Sequence, residues 1–101
     1  MLNVNPLTVA INNPGAANAQ TIVVQETTYT GVFSEMDTCN PSSGQLATIV
    51  TTNPAGPSAN YTVTGVIAGT CSAIFSDSTN QHITVTITVT TSGFGIQSSQ
   101  R

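Results

Sequence analysis

Along the chain, apolar residues recur at every second position far more often than at every third or fourth. That is the spacing of a half-buried strand, not of an amphipathic helix. The cleanest stretch runs from Gln81 to Thr90, where Ile83, Val85, Ile87 and Val89 alternate with Thr84, Thr86, Thr88 and Thr90. One face of such a strand meets a core and the other meets water. Six further strands are predicted on the same grounds. They lie near Leu7–Ile11 (Leu7, Val9 and Ile11 inward), Gln20–Glu26 (Ile22, Val24), Tyr29–Met36 (Tyr29 and Phe33, with Gly31 between them), Ala47–Thr51, Asn60–Val66 (Tyr61, Val63) and Thr70–Ser76 (Cys71, Ala73, Phe75). Pro and Gly fall between these stretches, where turns belong. Val and Ile total 18 against 3 Leu, and a β-branched excess favours strands over helices. Seven short strands with frequent turns predict an all-β fold, an antiparallel two-sheet sandwich, over residues 1–91.

The pattern does not stop cleanly. Phe94 and Ile96 are spaced two apart, with Gly93 and Gly95 around them, and Leu2 and Val4 repeat the spacing at the other end. Solvated linkers seldom carry such pairs. An extended segment with alternating apolar groups can add itself to an exposed sheet edge. At least one of these two tails is therefore expected to dock as a strand, and residues 92–101 are expected to be a C-terminal tail of one of two kinds. It is either a linker to another repeat or a docking strand carried by Phe94 and Ile96, placed on its own domain or on the next unit of a head-to-tail array.

Charge removes several functions. Only 5% of residues are charged, against roughly 25% in an average domain. Lys is absent, the only Arg is Arg101, and the formal net charge is −3. Solubility falls to 43 Ser, Thr, Asn and Gln residues. Nucleic-acid binding needs cations on phosphates, and a basic membrane-surface helix needs them too, so neither partner is expected. No apolar run approaches the ~18 residues of a transmembrane helix, so membrane insertion is not expected. The first residues show no signal peptide, and Met1 is expected to begin either an excised fragment or a mature chain with an added start.

Several residues resemble a known pattern. Val24-x-Glu26-x-x-Tyr29-x-Gly31-x-Phe33 is similar to a segment of bacterial immunoglobulin-like (Big-type) repeats, as are Ala47-Thr48-Ile49, Tyr61-Thr62-Val63-Thr64 and Ala68-Gly69-Thr70-Cys71. Asp77 matches the aspartate that opens the last hairpin of such repeats. Gly65 departs from the pattern, which often has Pro there. The resemblance covers about residues 5–91. It implies an immunoglobulin-like sandwich used as a spacer or adhesive module of envelope or secreted proteins.

Chemistry has few residues to work with. In an extracellular protein the two cysteines, Cys39 and Cys71, suggest a disulfide, because the strand carrying Cys71 lies beside the strand preceding Cys39 in such sandwiches. Two free buried thiols are the alternative. The carboxylates are Glu26, Glu35, Asp37 and Asp77, too few for an all-protein calcium cage of 6–8 oxygens. Asp77 with Asn80 could contribute to one, but Asp77 reads more simply as a turn residue. His82 is the only histidine and has no zinc spacing around it. Glu26 and Glu35 could be imagined as an acid–base pair, and a Ser-His-Asp triad would need His82, yet no nucleophile motif is present. No enzymatic activity, metal or cofactor is expected. Thr spaced every second residue can order water or ice when several strands present it flatly, and here one strand does. Asn60-Tyr61-Thr62 fits a glycosylation acceptor. Isopeptide cross-linking is impossible without Lys. The sequence thus predicts a non-enzymatic extracellular structural module: a spacer, adhesin repeat or filament subunit, with neighbouring domains or like subunits as partners. A carbohydrate-binding module is the alternative, with glycans as partner and Phe94 as its one free aromatic.

Overall fold

A computed structural model of the chain describes residues 1–40 and 44–91. Eight strands form two four-stranded sheets. In chain order they are β1 (Asn3–Asn5), β2 (Thr8–Asn12), β3 (Gln20–Gln25), β4 (Ser34–Asp37), β5 (Ala47–Val50), β6 (Ser58–Gly65), β7 (Gly69–Ser76) and β8 (His82–Thr90). One sheet has the order β1-β3-β6-β5 and the other β2-β8-β7-β4. Every ladder is antiparallel except β2 with β8, which is parallel. A 3-10 turn, Ala16–Asn18, links β2 to β3.

The core is the product of the period-two pattern. Val9, Ile11, Ile22, Val24, Val63, Ala73, Phe75, Val85, Ile87 and Val89 are almost completely buried between the sheets. Tyr61 and Phe75 meet edge-to-face, their ring centroids 4.9 Å apart, an arrangement that adds to the gain from burial alone.

Two predicted strands come out differently. The first, Leu7–Ile11, is found one residue later as β2 (Thr8–Asn12), and a short strand outside the predicted seven, β1, precedes it. Leu2 and Val4 are buried on β1, which pairs with β3, and the chain then crosses at Pro6 to the other sheet as β2. Pro6 has no N–H to give a ladder, and Leu7, expected inward, sits in the crossover and is 57% exposed. The predicted Tyr29–Met36 strand shrinks to Ser34–Asp37. Upstream of it, residues 29–33 lie against the loop at 54–56: Phe33 N–H donates to the Pro54 carbonyl at 2.8 Å, and Gly56 N–H to the Gly31 carbonyl at 2.8 Å. The Tyr29 ring folds over Gly31, and its hydroxyl donates to the Val32 carbonyl at 2.9 Å. A Cβ at residue 31 would stand 2.7 Å from that hydroxyl, so the Tyr-x-Gly spacing serves ring packing.

Candidate interaction site at the poles and edges of the sandwich

The described residues begin at one pole of the sandwich and end at the other. Leu2 N–H donates to Oε1 of Gln81, in the β7–β8 hairpin, at 3.2 Å. β8 runs from that hairpin to Thr90, whose carbonyl accepts from Asn13 at the far end, near Gly65 and Gly69.

Cys39 and Cys71 are joined in a disulfide, their Cα atoms 5.0 Å apart. Cys71 lies on β7, and Cys39 follows the adjacent β4; both are buried. The surroundings fix Cys39 closely. Its N–H donates to Asp37 Oδ1 at 3.0 Å, and its carbonyl accepts Leu46 N–H at 2.7 Å. The bond thus ties the connection between β4 and β5 to the centre of its sheet.

The four carboxyl groups form two pairs, neither of them Glu26 with Glu35. At the entry pole Glu26, just after β3, meets Asp77, just after β7, and each is only 8% exposed. Asp77 Oδ1 accepts from Thr79 N–H at 2.9 Å, Thr79 Oγ1 at 2.8 Å and Gln81 N–H at 3.0 Å. Gln81 Nε2 donates to Glu26 Oε2 and to Asp77 Oδ2, both at 3.2 Å. The hydrogen bond to Asp77, then burial, then the Asp77 charge raise the Glu26 pKa. The same hydrogen bond, with those from Thr79 and Gln81, lowers Asp77 to about 2 against the cost of burial.

The second pair lies on edge strand β4. Glu35 and Asp37 are two apart and share a face, with Glu35 turned toward the interior opposite Phe75. Burial, then a hydrogen bond with Asp37, then the Asp37 charge push Glu35 up to about 8. The Tyr61 hydroxyl is pushed up as well, first by burial and then by the Glu35 charge.

The remaining candidates stay apart. His82 Nδ1 lies 3.3 Å from the Asn80 carbonyl oxygen. Among the described residues no three His, Cys, Asp or Glu side chains gather where a metal could bind, and no helix is long and apolar enough to cross a membrane. Asn60 is exposed on β6, and its carbonyl accepts from Thr51 Oγ1 at 2.7 Å. Phe94 and Ile96 lie outside the described residues. Thr hydroxyls are not confined to β8: Thr86 aligns with Thr8 on β2 and Ser72 on β7, and Thr88 with Thr70. Gln81, which organises the entry pole, carries no sequence signal of its own. The pairing of Glu35 with Asp37 had one, their spacing of two.

Domains of S-layer proteins have a similar fold. Against the structure of surface layer protein SbsC, domains 1–6, the TM-score is 0.72 with 18% identity, over 92% of this chain and 13% of that one. The S-layer protein rSbsC(31-844) gives 0.73 with 18% identity, over 92% and 13%. SbsC domains 4 and 5 give 0.71 with 17% identity, over 89% and 51%. The chain therefore spans between 13% and 51% of those structures. Likeness at this identity establishes the sandwich fold. No family model and no curated protein sequence matches the chain.

Proposed function

We propose that this domain is a non-enzymatic extracellular structural module, a spacer or assembly unit that holds neighbouring domains or like subunits in line. The observation that carries the reading is the placement of Leu2 and Thr90, near the two ends of the described chain, at opposite poles. The likeness to domains of S-layer proteins supports it, as does the motif resemblance to bacterial immunoglobulin-like repeats. The disulfide fits an oxidising compartment outside the cytosol.

Residues 92–101 are the connection in this reading. Three of the four sheet edges are guarded against strand addition. β1 has three residues and runs into Pro6, β2 is bracketed by Pro6 and Pro14, and β4 carries the Glu35–Asp37 pair. β5 has neither charge nor Pro, and its Val50 is 59% exposed. In a coaxial array the segment leaving β8 enters the next copy at its Met1 pole. It would run antiparallel to β5, which travels from the exit pole toward the entry pole. Phe94 and Ile96 would supply the apolar side chains of that added strand.

Two measurements test this. Small-angle scattering of a two-copy tandem fusion is expected to give an extended rod, and a side-by-side pair would overturn the spacer reading. Sedimentation and electron micrographs are expected to show end-to-end association for the full chain and none for a chain ending at Thr91. Equal behaviour of the two would leave 92–101 as a linker only.

A further inference from the structure

Glu26 Oε1 is a buried oxygen with no hydrogen-bond donor facing it. An unpaired carboxylate oxygen in such a place is costly. The neighbouring groups show how the cost is avoided. Asp77 Oδ1 already accepts three hydrogen bonds, so the negative charge is best held on Asp77. Gln81 cannot turn to offer its oxygen to the pair, because Leu2 N–H donates to Oε1 and thereby aims Nε2 at both carboxyls. A donor, Gln81 Nε2, already stands between Glu26 Oε2 and Asp77 Oδ2. A proton is what the site lacks.

We infer that Glu26 and Asp77 share one proton, and that this proton latches the N-terminal strand β1 onto the domain. Glu26 holds it on Oε1 and donates to the Asp77 carboxylate. When it leaves, two carboxylates face each other across one amide group. The repulsion is relieved by moving Gln81 or opening the hairpin at 77–81, and either movement removes the partner of Leu2 N–H. Besides that bond, β1 is held by the buried side chains of Leu2 and Val4 and by a short ladder. Its register with β3 is three residue pairs, Asn3 with Gln25, Val4 with Val24 and Asn5 with Val23, and its other edge is open. The raised pKa of Glu26 and the lowered one of Asp77 agree in direction with this assignment. The other titratable groups around the pair are few. The Met1 ammonium lies 4.0 Å from Glu26 Oε2 on an exposed residue. The Tyr29 hydroxyl accepts Ser78 N–H at 3.1 Å, and the His82 ring is turned to the Asn80 carbonyl. The latch is a property of the folded domain and does not depend on the array reading.

The test is amide hydrogen exchange of the whole chain between pH 5 and 9, each rate taken relative to the intrinsic base-catalysed rate of that amide. For the wild type, opening at Leu2, Asn3 and Asn5 is expected to rise at least tenfold over the range, with Ala73 and Val85 unaffected. Glu26→Gln keeps a neutral donor and is expected to flatten the rise. Carboxyl carbon shifts of the wild type give a second readout that needs no variant: Glu26 should titrate above Asp77. A flat wild-type profile, an unchanged rise in Glu26→Gln, or protection at pH 9 restored by added calcium would each overturn the proposal. The last would make the pair a cation site.

Discussion

Glu35→Gln should flatten much of the alkaline loss of stability. In the wild type the folded-state pKa stands at about 8 against an ordinary 4.5, with burial the largest cause. Between those values the folded chain keeps a proton that the unfolded chain has released, so stability falls as pH rises through the window. The contribution is fully present below 4.5 and gone above about 8. At about 1.36 kcal/mol per tenfold change in acidity, the rise would correspond to at most ~4.8 kcal/mol. Glu35 sits on an edge strand with partial access to water, and screening there reduces the figure to about 1–2 kcal/mol. Gln fills the same volume, cannot ionise, and keeps a donor for Asp37. Urea unfolding followed by far-UV circular dichroism at pH 5 and pH 9 supplies the measurement. The difference between the two pH values should be about 1–2 kcal/mol smaller in Glu35→Gln than in the wild type, which also cancels any contribution from Glu26. Parallel losses in the two proteins would refute the reasoning, since the ionisation of Glu35 would then cost nothing.

Three further outcomes follow from the packing. Replacing both Cys39 and Cys71 with Ser opens a loop of 32 residues' separation and should cost about 3–4 kcal/mol of loop-closure entropy, read from denaturant midpoints under oxidising conditions. Gly65→Ala should destabilise by about 1–3 kcal/mol, because the new Cβ would stand 2.9 Å from Val89 Cγ1 and 3.3 Å from Ile11 Cγ2; a melting temperature equal to wild type would show that the contact relaxes freely. A chelator should leave the melting temperature unchanged, whereas a fall of many degrees reversed by calcium would reveal a structural cation.

The sequence announces a strand wherever alternation arises from a ladder between two sheets, and misleads where alternation has another cause. β8, β7, β6 and β3 read directly, because Val85, Ile87, Val89, Phe75, Val63 and Ile22 are buried at every second position. Tyr29, Gly31 and Phe33 also alternate, but the spacing there serves a ring folded over a glycine and a Tyr29–Phe33 contact at 5.1 Å between centroids. The outward turn of Leu7 was hidden for a related reason. Leu7 continues the apolar series of Val9 and Ile11, and only the crossing at Pro6 turns it outward. Residues 3–5 lie before the first stretch long enough to be read as a strand, so β1 had no signal beyond Leu2 and Val4. At the candidate site, the two cysteines were legible as a possible pair from their number. The Glu26–Asp77 pair was not, since it forms only when the ends of β3 and β7 meet at one pole, and Gln81 acquires its role from that meeting.

The placement of charge bears on how such a chain avoids adhering to everything. Domains usually keep apart by scattering Lys, Arg, Asp and Glu over faces and edges. Here part of the outward faces carries Thr and Ser in register, as in the Thr8–Thr86–Ser72 row, beside the exposed Met36–Ile74 pair on β4 and β7, and the four carboxyls lie at one pole and along β4. Hydroxyl-bearing faces hold water without repelling a second copy, so they are permissive toward side-by-side contact. The edges are another matter, because a strand added to one of them gains a full set of main-chain hydrogen bonds. Strand length and Pro limit that gain at β1 and β2. At β4 an added strand would cover the Glu35–Asp37 pair and pay its desolvation cost. β5 has none of these guards, so selectivity rests on the incoming segment. A charged strand would lose hydration against an apolar edge, whereas the uncharged Gly93-Phe94-Gly95-Ile96 stretch would not. In the proposed array, with nearly all long-range repulsion removed, the choice of neighbour would fall to which edge is left open and which segment can reach it.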